Sequence, residues 1–147
     1  MPDRDYVYPA KTKSVRDDFK AHVKRGSVLP GVDFACDEGD NVFATSVGRV
    51  IQADPNPRQV RGINIIIRHP DGVESHYLHL SKLLVRVGSR VKMGQHIAES
   101  GNTGTTTTGP HLHFTMKRHG RCFDPLPLLK REAKEAKKEK AVEVVPE

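Results

Sequence analysis

Residues 101–114 read Gly-Asn-Thr-Gly-Thr-Thr-Thr-Thr-Gly-Pro-His-Leu-His-Phe, and this stretch constrains the fold more than any other. Its first ten residues are rich in glycine and threonine and read as a loop, after which polar and apolar side chains alternate. Neighbouring side chains of an extended strand point to opposite faces, so His111 and His113 project together while Leu112 and Phe114 turn to an apolar layer. Two imidazoles in one pocket suit metal chemistry, one neutral ring as a zinc ligand and the other handling a proton.

The same period recurs along the chain. Strand-like runs cover 41–44, 48–53, 63–68, 73–80, 96–100 and 112–117, separated by Gly, Pro and Asp turns, and predict an all-β fold. In the run 73–80, Tyr77 and His79 are expected on one face of the strand, with Leu78 and Leu80 filling the other and His76 pointing away from His79. His69 and His119 fall at turn signals and are expected to be solvated.

Four segments in order resemble the lysostaphin and LytM-type zinc endopeptidases, over about residues 15–129. They are Gly31-Val32-Asp33-Phe34-Ala35, Tyr77-Leu78-His79-Leu80-Ser81, residues 87–100 with the His111-Leu112-His113 stretch that they lead into, and Phe123-Asp124-Pro125-Leu126. Ordered matches of this kind are far more specific than any one short motif. The resemblance implies a compact antiparallel β barrel or sandwich. The paired Gly-x-x-Val turns at 39–42 and 88–91 suit such a fold, as two related half-motifs. It implies peptide cross-links of bacterial peptidoglycan as substrate and Zn2+ as cofactor. Carried over residue by residue, it makes Asp33 and His113 metal ligands and His79 and His111 the histidines that assist catalysis.

One position departs from the family pattern. The first motif begins with a histidine four residues before its aspartate, and here Leu29 stands in that place. Zinc hydrolases hold the metal with three protein groups, so three readings stay open. His22 supplies the third ligand by folding back over the pocket; the site is degenerate and the fold serves as a wall-binding or hydrolase-regulating module; or two ligands bind metal weakly. Cys36 is another stand-in, although a small buried thiol is its expected role.

Length and composition fit one soluble domain, with residues 1–14 as a lead segment, 15–129 as the domain and 130–147 as a charged helical tail. No apolar run is long enough to span a membrane. The chain carries a net charge of +6, of which +1 belongs to residues 130–147, so the basicity lies in the body. A basic body is drawn to anionic wall polymers; nucleic acid competes, but no aromatic stacking platform or recognised helix motif supports it. The N-terminus lacks the basic and apolar regions of a secretory signal. With a substrate outside the cell, the expectation is delivery as a bacteriophage lysin or as a virion or tail component, with other phage tail proteins as partners. Two cysteines, Cys36 and Cys122, imply no disulfide framework.

Overall fold

The computed structural model describes residues 6–133; the expected helical tail from residue 134 onward lies outside the described residues. In chain order the elements are β1 (Tyr6–Val7), β2 (Val15–Asp17), α1 (Phe19–Lys24), β3 (Val32–Phe34), β4 (Asn41–Phe43), β5 (Gly48–Asp54) and β6 (Ile63–Arg68). They continue with β7 (Glu74–Leu83), β8 (Arg90–Val91), β9 (His96–Ser100), β10 (Leu112–Arg118), β11 (Arg121–Phe123) and β12 (Leu129–Arg131). The main sheet runs β2-β3-β10-β7-β6-β5-β8, with β11 beside β10 and β9 joining β4 to β7. Its path has two ends among the described residues, so the fold is mostly β but an open sheet and not a closed barrel. The strands pair antiparallel except for β1 and β12, which pair parallel. Lys130 and Arg131, at the start of the stretch expected to be helical, belong to that strand pair.

Strand β10 sits between β3 and β7, and its register builds the molecule. Phe114 lies opposite Val32 on one side and Tyr77 on the other. Directly opposed residues share a face, and here that face is the core. Val32, Phe114 and Tyr77 are fully buried with Ile65, Ile67, Leu112, Met116 and Ile97, and the Tyr77 and Phe114 rings lie 5.3 Å apart. Burying one such side chain is worth about 1.5–3 kcal/mol. One residue along, the opposite face carries His113, with Asp33 beside it on β3 and Leu78 on β7. The alternation that hides Phe114 therefore presents His113 and Asp33 as a pair.

The break in alternation that shapes this face lies in β7. Leu80 lies opposite Ile63 and Tyr77 opposite Ile65, so three steps along β7 match two along β6. His79 occupies the bulge with φ +64°, a left-handed conformation that costs a non-glycine residue roughly 1–2 kcal/mol. The expected common face for Tyr77 and His79 is therefore wrong. Tyr77 stays in the core, its hydroxyl accepting from Thr45 N at 3.0 Å and bonded to Ser75 at 2.8 Å, while the bulge turns His79 to the face of His113. His76 is also on that face, opposite Thr115, and does not point away from His79.

The lead segment is part of this body, for Tyr6 and Val7 are fully buried and the Tyr6 hydroxyl donates to Asp71. The two Gly-x-x-Val turns do repeat a conformation: Gly39 and Gly88 both have φ +94°, and each opens a strand.

Candidate metal centre

Helix α1 is the one element among the described residues that brings a side chain to this face from outside the sheet. Asp18 caps it, accepting from Ala21 N at 2.9 Å through its side chain. The Asp18 carbonyl accepts from the Nδ1–H of His22 at 2.9 Å. The ring of His22, 3% exposed, is thereby aimed at β3 and β10. Its Nε2 lies 3.3 Å from Asp33 Oδ2, and its centroid is 4.9 Å from that of His113.

Asp33 is the hub. His113 Nδ1 lies 2.8 Å from its Oδ1, and His111 Nε2 lies 3.6 Å from the same oxygen. The His79 ring is 4.9 Å from that of His111 and 6.2 Å from that of His113. One ligand atom each from His22, Asp33 and His113 falls within 4.8 Å of the others. All five residues named from the sequence thus meet in one place. Cys36 is not among them. It lines a separate cavity with Lys11 and Asp40, and its thiol is pushed up to about 12 by burial and by the charge of Asp40.

Backbone carbonyls decide which nitrogen of each ring is bare. His79 donates through Nδ1 to Thr103 O at 2.6 Å, and His111 through Nδ1 to Gly109 O at 2.7 Å. His113 is reversed. Its Nε2–H donates to Leu29 O at 2.8 Å and lies 2.9 Å from the Thr115 hydroxyl, which in turn donates to the Leu29 and Pro30 carbonyls at 3.2 Å. A neutral imidazole has one donor and one acceptor nitrogen, so Nε2 of His22, His79 and His111 and Nδ1 of His113 are left as lone pairs. Three of these four are within 3.6 Å of an Asp33 oxygen, itself an acceptor. Acceptors facing acceptors repel unless a proton or a cation lies between them. A divalent cation would satisfy the His22, Asp33 and His113 atoms together, and ligating histidines characteristically donate their second nitrogen as these do.

Leu29, in the place where the resemblance calls for a ligand, serves through its carbonyl. The imidazole of His22, seven residues earlier, faces Asp33 from α1. Without a cation, a proton shared with Asp33 takes its place. Burial pushes Asp33 up, but its bonds to His113 and His22 and the charge of the neighbouring histidines outweigh that and hold it well below the usual carboxylate range. Burial likewise pulls His22 down, and the bonds to Asp33 and to the Asp18 carbonyl overcome it and leave it raised. His79 has no such partner; burial, opposed by the Thr103 bond and aided by His111 and His113, lowers it to about 4.

Of the turn histidines, His119 is exposed as expected, whereas His69 is 2% exposed. His69 bonds the Val47 carbonyl at 2.7 Å and the Ser75 hydroxyl at 2.9 Å, which makes it a satisfied core residue. Thr115 is the supporting residue that sequence reasoning passed over. Its signal was its place two residues after His113, hence on the same strand face.

Residues 27–125 match the family profile described as Peptidase family M23. The chain belongs to peptidase family M23. Among its M23 relatives are the peptidoglycan DD-endopeptidase ShyB of Vibrio cholerae, 40% identical over 73% of this chain and 25% of that protein, and the murein hydrolase activator NlpD of Escherichia coli, 42% identical over 65% of this chain and 24% of that protein. A zinc-containing peptidase from Vibrio cholerae has the same fold, with a TM-score of 0.70 and 36% identity over 82% of this chain and 39% of that one. The chain spans about a quarter of the length of these curated relatives. No helix among the described residues is long and apolar enough to cross a membrane.

Proposed function

We propose that this chain carries a zinc-dependent endopeptidase site that hydrolyses peptide cross-links of bacterial peptidoglycan. The observation that carries the proposal is the convergence of bare imidazole nitrogens on the ionised Asp33. His22, Asp33 and His113 would hold the metal. Zinc so bound supplies a Lewis acid for the scissile carbonyl and acidifies water. The other two histidines move protons. His79 is neutral at pH 7, and its Nε2 is bare, so it can accept a proton from the attacking water as negative charge develops beside it. His111 offers a second bare Nε2 from the next ring. Either imidazolium can then donate to the departing amine, a role worth about 100-fold or more in rate. Asp33 stays ionised throughout and keeps His22 and His113 oriented.

The name of the ShyB relative favours a link between two D-residues over a glycyl bridge. Digestion of purified peptidoglycan, with products separated by chromatography and mass, tests the proposal. The expected result is loss of cross-linked muropeptides with the unaltered chain and none with His113→Ala. Undiminished cross-linking with the zinc-loaded, unaltered chain overturns it.

The NlpD relative supports a second reading, a module that activates another hydrolase and cuts nothing itself. It predicts wall binding that is indifferent to zinc. The presence of a full set of three donors and two further histidines favours the peptidase.

A further inference from the structure

Thr103 touches the site through three bonds at once. Its carbonyl accepts the Nδ1–H of His79 at 2.6 Å, and its hydroxyl donates to Leu80 O at 2.6 Å and accepts from Ile63 N at 3.1 Å. The hydroxyl thus clamps both strands just past the β7 bulge, at Leu80 on β7 and at its partner Ile63 on β6. Two glycines allow the approach. A Cβ at Gly62 would stand 2.5 Å from the Thr103 carbonyl and hydroxyl, and one at Gly104 would stand 2.7 Å from Gly62 N and Val60 O. The 59–62 turn holds the same histidine from the other side, since His79 N donates to Arg61 O at 3.0 Å. Thr106 adds a hydroxyl bond to Val60 O at 3.0 Å.

We propose that Thr103 is a positioning residue that fixes the tautomer of His79, so that seating of the threonine-rich loop on residues 59–62 sets whether Nε2 is bare for proton transfer. Losing the Thr103 carbonyl removes the one bond that assigns the proton to Nδ1, and the ring is then free to carry it on Nε2, where it blocks the basic atom. The inference rests on the proposed role of His79, but the tautomer is readable without any reaction. Thr103→Val removes the clamp; Gly104→Ala, at φ +100°, unseats the loop while leaving the Thr103 side chain in place.

Nitrogen-15 NMR of the histidine rings, read together with kcat, KM and zinc per chain, tests it. The expected result is an Nδ1–H His79 in the unaltered chain and a shift toward Nε2–H in both variants. The same variants should lose about 10-fold or more in kcat with KM and zinc unchanged, and Thr103→Ser should restore both tautomer and rate. An unaltered His79 tautomer in Thr103→Val or Gly104→Ala overturns the inference, as does a Thr103→Ser chain that behaves like Thr103→Val. If the tautomer shifts as expected and even the unaltered chain leaves peptidoglycan intact, the endopeptidase reading fails and the positioning role of Thr103 stands.

Discussion

At the scale of single residues, the site depends as much on backbone oxygens as on side chains. Leu29 contributes a carbonyl and Thr115 a hydroxyl, and together they keep the proton of His113 on Nε2 and leave Nδ1 facing Asp33. Thr115→Val removes one of these partners with little change in volume. Outer partners of metal-bound histidines are worth about 10–100-fold in affinity, and a loss in that range is expected when zinc is titrated against a competing chelator. Much of this site was legible. The alternation of His111, Leu112, His113 and Phe114 states which side chains share a face, and His22 stood out as an imidazole close upstream of a missing one. The carbonyls that orient the rings were not legible, because every residue owns a carbonyl and none advertises its direction.

At the scale of elements, α1 and the β7 bulge do what the strand pattern could not foretell. Helix α1 has six residues, too few to be stable alone, so its cap and its docking must hold it. Asp18 serves both, with its side chain on Ala21 N and its carbonyl on His22. Asp18→Ala is expected to cost about 1 kcal/mol and to weaken zinc binding through the orientation of His22. Thermal unfolding of the metal-free chain and chelator competition check the two effects separately; undiminished zinc affinity would show that α1 is held without its cap. The bulge escaped the reading of residues 73–80 because strict period two holds only in a regular strand. Its one inserted step reversed the face assigned to His79 relative to Tyr77, and so brought His79 to the face of His76. Alternation in 112–117 was sound because that segment pairs regularly with both of its neighbours.

At the scale of the whole molecule, the open sheet hides two histidines in a form that acid disfavours. Burial, opposed by Glu74 and reinforced by Lys117, lowers His76 to about 4, and His79 is lowered to about 4 as well. Both lie below the ordinary histidine value near 6.5, so between those limits the unfolded chain binds more protons than the folded one. The stability these two histidines contribute is therefore full above about pH 6.5 and declines as pH falls toward 4, while His22, raised by its bonds to Asp33 and Asp18, contributes in the opposite sense. Melting temperatures of the metal-free chain should follow that slope, and His76→Gln should flatten it; an unchanged slope would deny His76 a part. The compartment was beyond reach of the residues, since the chain covers a quarter of its relatives and a body charge of +5 suits several anionic partners. The central claim is that His22 completes a three-residue metal centre in place of Leu29. Zinc per chain after dialysis against a weak chelator tests it most directly, in the unaltered protein and in His22→Ala. About one zinc per chain in the first and near none in the second is the result expected of a three-ligand centre; near none in both, or equal zinc in both, contradicts it.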